Sequence, residues 1–270
     1  MGAGLALALT AAGRRVVLLV RTSRPAPPGV GLCVGESAWS RAVADAGVVF
    51  VGTPDSAIES AAERLTALGS VTQSHAVLHL SGLRDRTALA ALEATGAALG
   101  SMHPLQAVAH PASAPGLLRG AYAAIEGDAR ARATARQISE SIGMTAIDLE
   151  PGAKPAYHAA AALVSNYTVA IADVARRIAE AAGVPPDLAE RMYLPLLRGS
   201  VSNVEQRGAA AALTGAIRRG DAETVAAHLA ALEPNERQVY VALGVVTVRL
   251  ARDSGLDVAS AEAIEKVLRR

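Results

Sequence analysis

Residues 48–58 read VVFVGTPDSAI, and this stretch decides the predicted fold. An uninterrupted apolar run is followed by a glycine and a proline, which favour a turn, and then by a helical pattern. Such a run is typical of a parallel strand that helices cover on both faces. We therefore predict a strand over Val48–Thr53 and a helix over about Asp55–Leu68.

The same alternation extends over residues 1–150. Further strands are predicted at Val16–Val20, Ala76–Leu80, Ala97–Leu99, Ala121–Ile125 and Thr145–Leu149, and further helices at Leu5–Ala12, Asp85–Thr95 and Ala129–Ile142. Strands that alternate with helices predict an α/β fold with a doubly wound parallel sheet of the Rossmann type, which binds dinucleotides. We assign residues 1–150 to this NAD(P)-binding domain.

After Pro151-Gly152 the strand signals fade. Helices are predicted at Lys154–Ala182, Pro186–Leu197, Ala209–Arg219, Ala222–Ala231, Glu233–Ser254 and Ser260–Leu268. Val245–Val248 is β-branched, but the flanking pattern favours a helix there too. Residues 151–270 are therefore predicted to form an all-helical domain, with the boundary near Glu150.

Composition excludes several classes of protein. Hydrophobic residues make up 51% of the chain and charged residues 19%, which is typical of a globular protein. The formal net charge is +1 without a basic run, so we expect no nucleic-acid partner. No apolar stretch approaches the ~20 residues that a membrane-spanning helix needs. Cys33 is the only cysteine, which favours a reducing, cytoplasmic location.

The glycines near the start allow two registers for a phosphate-binding turn. A dinucleotide site normally has a strand and then G-x-G-x-x-G at the start of a helix. If Gly2 and Gly4 are the first two glycines, the helix before Gly13 is short, roughly 12 Å. If Gly2 is the third glycine, a helix Gly2–Ala12 has the usual length.

We favour the second register, because the first strand is central in such a sheet and its loss would uncover the core. We then expect Met1 to be an internal residue, with translation starting about ten residues earlier. The alternative is a genuine start in a damaged or rearranged copy of the protein.

The next strand ends in Arg21-Thr22-Ser23-Arg24, without an acidic residue. An acid at this position selects NAD by binding the ribose, whereas arginine suits the additional phosphate of NADP. The sequence therefore favours NADP, with NAD as the alternative. Arg21 could equally be an ordinary surface residue at a strand end.

Polar residues follow two predicted strands. Thr53-Pro54-Asp55 comes after one strand, and Ser81-Gly82 comes after another. Ligands bind at the carboxyl ends of strands in this architecture, so we predict that Thr53, Pro54, Asp55 and Ser81 contact the cofactor near its nicotinamide. Proline and glycine are also common turn residues, and both segments could be simple connections.

Histidine and lysine supply the candidate chemistry. His103 follows a predicted strand, and an imidazole can exchange the proton that hydride transfer to a carbonyl requires. On the helix that starts at Lys154, the side chains of Lys154, His158 and Ser165 fall within about 40° of one another, with Asn166 on the flank. We predict that His103, Lys154, His158 and Asn166 form the catalytic site at the crevice between the domains. Each could instead be structural.

The stretches VVFVGTPDSAI, LHLSG, GSMHPLQ, KPAYHAAAALVSNY, YLPLL and LTGAIRRGDAETVAAHLAAL resemble a family of uncharacterised bacterial proteins. These proteins pair a Rossmann-like domain with a C-terminal domain of unknown function 2520. Ala216 stands where we expect a proline. The family is similar in turn to pyrroline-5-carboxylate reductase, 6-phosphogluconate dehydrogenase and prephenate dehydrogenase.

The resemblance implies roles for individual residues. His103-Pro104 resembles the His-Pro pair of prephenate dehydrogenases, in which that histidine is catalytic. Lys154 and Asn166 resemble the lysine and asparagine of the 6-phosphogluconate and 3-hydroxyacid dehydrogenases, although the spacing is longer here. The helical domain of these relatives commonly builds the dimer, so the resemblance implies a 6-phosphogluconate-dehydrogenase-like domain and a homodimer.

Together these observations predict an NAD(P)H-dependent oxidoreductase that transfers a hydride to or from a small carboxylate-bearing substrate. The alternative is a nucleotide-binding regulatory or partner protein without catalysis, because the Rossmann fold does not by itself imply chemistry. A third interpretation is an unstable fragment. No spacing of His, Asp and Glu indicates a metal site.

Overall fold

The computed structural model describes residues 1–270, which divide into two compact units, Met1–Ser165 and Asn166–Arg270. The first unit contains β1 (Val17–Val20), β2 (Gly31–Val34), β3 (Val48–Val51), β4 (Ala76–His79), β5 (Ala98–Leu105), β6 (Tyr122–Gly127) and β7 (Thr145–Asp148). Its α-helices are α1 (Gly2–Ala11), α2 (Glu36–Ala44), α3 (Ile58–Ala67), α4 (Ala114–Leu118), α5 (Ala129–Ser141) and α6 (Lys154–Val164). Mixed α/β structure of the Rossmann type is therefore confirmed.

The main sheet has the strand order β3-β4-β5-β6-β7. β3, β4 and β5 are parallel, β6 is antiparallel to β5, and β7 is parallel to β6. The prediction that every strand runs in the same direction was wrong for β6 and β7. An antiparallel neighbour needs no long crossover helix, and the connection from β5 to β6 contains only a 3₁₀ turn and the five-residue helix α4.

β1 and β2 form a separate parallel pair. A cavity of about 850 Å³ lies between β1 and β3, and the inner face of α1 also lines it. In a doubly wound sheet the first strand lies between the strands that correspond to β1 and β3. This cavity therefore separates the β1-β2 pair from the main sheet.

Apolar side chains on the two faces of the main sheet form two cores. One face carries Val49, Val77 and Leu99, which pack with α3 and the 3₁₀ helix Arg86–Thr95. The other face carries Leu78, Met102 and Ile125, which pack with residues of α1, α4 and α5. Alternation of side chains along each strand produces this division.

Several boundaries differ from the prediction. The sequence analysis missed β2 and α2, and the helix predicted over Asp85–Thr95 is a 3₁₀ helix. β5 extends to Leu105, so His103 lies within a strand and not beyond one. The predicted helix Lys154–Ala182 is interrupted at Ser165, directly after α6 ends at Val164. The first unit therefore reaches past Glu150 to Ser165.

The second unit is helical throughout, and a helical C-terminal region is confirmed. It contains α7 (Asn166–Ala181), α8 (Pro186–Met192), α9 (Leu194–Ala212), α10 (Ala216–Arg219), α11 (Ala222–Ala230), α12 (Pro234–Asp253) and α13 (Val258–Leu268). Val245–Val248 is helical as predicted. The helix predicted over Ala209–Arg219 is divided, because Leu213 has an extended conformation after α9. No helix of the chain has the length and apolarity to cross a membrane.

Candidate functional site

A row of polar side chains crosses the main sheet. His79 on β4 pairs in register with Ser101 on β5, and Ser101 pairs with Glu126 on β6. Residues that pair across strands project from the same face of a sheet. His79 and Ser101 are completely buried, and Glu126 is partly exposed. An otherwise apolar face therefore carries a line of groups that can exchange hydrogen bonds.

Lys154 lies over this row as the first residue of α6. Its side chain is almost completely buried, with 2% of the residue exposed. The ammonium Nζ donates hydrogen bonds to the Ser81 carbonyl oxygen and to the Ser101 hydroxyl, each at 2.7 Å. Burial lowers the pKa of Lys154 to about 8, while the nearby Glu126 carboxylate acts in the opposite direction. The amine is thus poised to give up a proton close to neutral pH.

His103 on β5 forms a pair with Tyr157 on α6. Its Nδ1 lies 2.9 Å from the Tyr157 hydroxyl, and the two rings meet edge to face. Burial, with smaller effects of His158 and Lys154, lowers the pKa of His103 to about 4, so the imidazole is neutral at pH 7. Burial raises the pKa of Tyr157 to about 12, so its phenol stays protonated. The phenol can donate to Nδ1, which leaves the ring proton on Nε2.

The second imidazole of the site belongs to His158. Its ring lies 5.6 Å from that of His103, and its Nδ1 is buried without a hydrogen-bond partner. Buried polar atoms are nearly always paired, so this nitrogen marks a position where a bound molecule could interact. A Cβ on Gly82 would lie 2.5 Å from His158 Nδ1 and 2.9 Å from His103 Nε2. Only glycine lets both rings approach the backbone here.

Ser81 and Asp55 stabilise the turn after β4. The Ser81 hydroxyl donates to Asp55 Oδ2 at 2.8 Å and accepts hydrogen bonds from the backbone N–H groups of Leu83 and Arg84. The hydroxyl is therefore fully engaged within the protein, and Ser81 is buried. These contacts explain how the turn positions the Ser81 carbonyl that Lys154 binds. A contact of Asp55 or Ser81 with a cofactor stays a prediction.

The predicted cofactor residues fall into two groups. Gly2, Arg21, Thr22, Arg24 and Thr53 line the cavity between β1 and β3, whereas Ser23, Pro54, Asp55 and Ser81 lie outside its lining. The two arginines are exposed and form no ion pair within the chain. A Cβ on Gly52 would lie 3.2 Å from the Gly2 Cα, so the start of α1 closely approaches the end of β3.

The structure brings together His103, Lys154 and His158, three of the four predicted catalytic residues. Asn166 begins α7 in the second unit. The prediction that one continuous helix presents Lys154, His158, Ser165 and Asn166 was wrong, because α6 ends at Val164 and Asn166 begins a new helix. Asn166 as a substrate ligand stays a prediction.

Four residues of the site were not identified in the sequence analysis: Gly82, Ser101, Glu126 and Tyr157. Tyr157 is adjacent to His158, and Gly82 is adjacent to Ser81. Their positions beside predicted site residues are the sequence signal that could have identified them. Ser101 and Glu126 are 25 residues apart, and only the pairing of β5 with β6 brings them together.

Comparisons with known proteins agree with this architecture. The profile of a family described as Domain of unknown function (DUF2520) matches residues 121–247, which confirms the predicted resemblance. Among curated protein sequences, none matches the chain.

Several solved structures share the fold over nearly the whole chain. A protein from Thermotoga maritima is 22% identical with a TM-score of 0.67, and the match covers 100% of this chain and 96% of the other. A putative NADP oxidoreductase from Bacteroides fragilis is 18% identical with a TM-score of 0.63, covering 98% and 93%. Pyrroline carboxylate reductase from Plasmodium falciparum, solved with NADP bound, is 12% identical with a TM-score of 0.58, covering 99% and 94%. At these identities the likeness establishes the shared fold alone.

The lowered pKa values of the buried imidazoles predict that acid destabilises the first unit. His79 and His103 each have a pKa near 4 in the folded chain, against 6.5 when unfolded. The unfolded state therefore binds more protons below pH 6.5, and stability is lost as the pH falls towards 4. Between pH 7 and pH 5 we expect each histidine to remove about 1–2 kcal/mol from the free energy of unfolding.

Urea unfolding followed by the fluorescence of Trp39, the only tryptophan, measures this loss. His103→Asn should lose less stability than the wild-type chain between the two pH values. The exposed His110, changed to Asn, provides the control and should behave as the wild type. Equal losses in the wild type and in His103→Asn would contradict burial as the cause.

Proposed function

We propose that the chain is an NADP-dependent oxidoreductase that transfers a hydride between the nicotinamide and a small carboxylate-bearing substrate. The observation that carries the proposal is the convergence of His103, Lys154, Tyr157 and His158 near the turn after β4. Ligands of doubly wound sheets bind at the carboxyl ends of the strands. A buried amine, a neutral imidazole and an unpartnered imidazole nitrogen at such a place favour proton chemistry over a purely structural role.

Residues around the end of β1 fit NADP. Arg21 and Arg24 are exposed without a carboxylate partner, and Thr22 and Ser23 lie between them. A guanidinium can bind a phosphate through two parallel hydrogen bonds. NADP carries a 2′-phosphate that can accept them, whereas NAD has no phosphate at that position. Gly2, the first residue of α1, has no side chain that would obstruct a phosphate at the N-terminus of this helix. NADPH supplies the hydride when bound.

We assign the binding of the substrate and the transfer of its proton to side chains of the first unit. Tyr157 orients His103, so that the imidazole can present Nε2 to an oxygen or nitrogen of the substrate. Reduction of a carbonyl or imine develops negative charge or basicity on that atom, which the His103 Nε2–H stabilises through a hydrogen bond and the Lys154 ammonium can protonate. In the direction of oxidation, the neutral Lys154 amine can accept the proton of an alcohol or amine, because Nε2 of His103 already carries the ring proton. His158 Nδ1 is free to bind a further polar group of the substrate.

The substrate class follows from the charges of the site and from the fold relatives. Lys154 is a cationic group beside two imidazoles, which suits a small molecule that carries a carboxylate next to a carbonyl or imine. Pyrroline carboxylate reductase, one of the proteins that share the fold, has a name that describes such a molecule.

Replacement of His103 by Asn tests the proposed chemistry. Loss of the imidazole that stabilises charge on the reacting atom should lower kcat by about 10²–10³-fold, while the NADPH dissociation constant changes less than about twofold. The assay is oxidation of NADPH with a panel of 2-oxo acids, cyclic imines and semialdehydes. His110→Asn is the matched control.

Undiminished kcat in His103→Asn would remove that residue from the mechanism. Tight NADPH binding by the wild type without turnover on any substrate of the panel would favour a non-catalytic nucleotide-binding protein instead.

Replacement of Arg21 by Ala tests the proposed cofactor preference. A lost hydrogen bond between charged groups removes about 1.5–3 kcal/mol, so NADPH should bind about ten- to a hundredfold more weakly. Binding of NADH should be unchanged, because NADH has no 2′-phosphate. Isothermal titration calorimetry measures both affinities, and Arg119→Ala, an exposed arginine outside the cavity lining, is the control. An equal loss for both cofactors would contradict the assignment.

We also propose that the helical unit forms a homodimer. α7 and α9 together bury only Ala179, and they leave apolar residues such as Val169, Leu196 and Val201 more than half exposed. Long helices with exposed apolar faces are typical of contacts between subunits. A second copy is the expected partner, because most soluble oligomers are symmetric assemblies of identical chains.

Analytical ultracentrifugation of the double variant Leu196→Glu/Val201→Glu tests the dimer. Buried like charges at a symmetric contact should shift the chain to a monomer at micromolar concentration. Val258→Glu, which changes an exposed valine on α13, should leave the dimer intact. A monomeric wild type, or a double variant that still dimerises, would argue against this surface.

A further inference from the structure

Lys154 has almost no access of its own to solvent. Only 2% of the residue is exposed, and two of the three ammonium protons are held by Ser81 and Ser101. In the proposed oxidoreductase, an amine that gives a proton to a substrate must be protonated again before the next turnover. A group within hydrogen-bonding reach is the direct source of this proton, because the residue is almost completely buried.

One line of hydrogen bonds leads away from the amine. Lys154 Nζ donates to Ser101 Oγ at 2.7 Å, and Ser101 Oγ donates to Glu126 Oε2 at 3.4 Å. A hydroxyl can accept one proton while it releases another, so Ser101 can pass a proton in either direction. Glu126 is partly exposed, whereas Ser101 is completely buried. The line therefore begins at the buried amine and ends at a carboxyl that contacts solvent.

The backbone keeps these groups in place. Ser101 and Glu126 are directly paired residues of β5 and β6, and the ladder on both sides of them fixes their spacing. The backbone N–H of Arg86 donates to Glu126 Oε2 at 3.0 Å and holds the carboxyl towards Ser101. Burial raises the pKa of Glu126, against the opposing effect of Lys154, so the carboxyl carries a proton more readily than an exposed glutamate.

The other acidic groups near Lys154 offer no such connection. The titratable groups that face the amine are Glu126, Asp85, Asp55, His79 and His103. Asp55 accepts its hydrogen bond from the Ser81 hydroxyl, but Lys154 contacts the Ser81 carbonyl, which has no proton to pass. Asp85 accepts from Thr87, and His79 binds the Asp85 carbonyl and the Ser81 N–H. Only Glu126 shares a hydroxyl with Lys154.

We propose that Ser101 and Glu126 form a proton relay between the Lys154 amine and solvent, an inference that rests on the proposed oxidoreductase. During reduction the hydride adds to the substrate carbon, and Lys154 releases one proton to the substrate oxygen or nitrogen. The neutral amine then takes the Ser101 hydroxyl proton while Ser101 Oγ takes the proton of the Glu126 carboxylic acid. The Glu126 carboxylate regains a proton from water, and oxidation reverses each step.

Hydrogen exchange at Lys154 tests the relay without any substrate. The chain contains only two lysines, Lys154 and the exposed Lys266, so ¹⁵N-lysine labelling gives two side-chain signals in an NMR spectrum. We expect exchange of the Lys154 Nζ protons with water to be at least about tenfold slower in Ser101→Ala and in Glu126→Gln. Lys266 provides an internal control in every sample, and Ser101→Thr, which keeps a hydroxyl, should exchange as the wild type does.

A purely structural role for Ser101 and Glu126 would give the opposite result. Loss of packing would open the site and leave exchange at Lys154 unchanged or faster, and that outcome would overturn the relay. Because this measurement needs no turnover, an inactive wild type would refute the proposed function and leave the relay to be judged by exchange alone.

Kinetics of the active enzyme supply a second readout. In Glu126→Gln the first turnover should keep its rate, whereas steady-state kcat should fall about tenfold in dilute buffer and recover as the buffer concentration rises. Glu140→Gln, which changes an exposed glutamate, should resemble the wild type. A slow first turnover that buffer does not restore would also overturn the relay.

Discussion

The buried ammonium of Lys154 is the constraint on which the candidate site depends. Removal of a charge from water is costly by several kcal/mol unless hydrogen bonds and opposite charges compensate. Here the Ser81 carbonyl and the Ser101 hydroxyl hold the amine, and Glu126 supplies the largest opposing charge. Lys154 is also the first residue of α6, where the helix dipole disfavours a cation. Burial and the helix dipole both disfavour the charged form, so the amine loses its proton more readily than an exposed lysine does.

The sheet provides the partners of this amine through its strand order. β4, β5 and β6 bring His79, Ser101 and Glu126 into one row, although these residues are far apart in the chain. In the antiparallel pairing of β6 with β5, Glu126 lies opposite Ser101, close to the carboxyl end of β6. On the same face, the absence of a side chain at Gly82 lets the imidazoles of His103 and His158 approach the turn.

The fold alone leaves the chemistry open. The three solved structures compared above are 22% identical or less, and one fold can support many reactions. The functional argument therefore depends on side chains: a neutral His103 held by Tyr157, an unpartnered nitrogen of His158 and a nearly inaccessible Lys154. A buried polar atom without a partner is costly, so the unpartnered His158 nitrogen favours a bound molecule over a purely structural role.

The sequence by itself determined the alternation of strands and helices and the helical C-terminal region. It also identified His103, Lys154 and His158 as candidate catalytic residues. These features depend on local periodicity and on residue chemistry, and both can be identified from residues that are close together in the sequence. Tertiary structure decided the direction of β6, the break at Ser165 and the contacts of Ser101 with Lys154 and Glu126. Strand direction and register depend on packing between residues that are distant in sequence, and no local pattern encodes which strand becomes the neighbour of another.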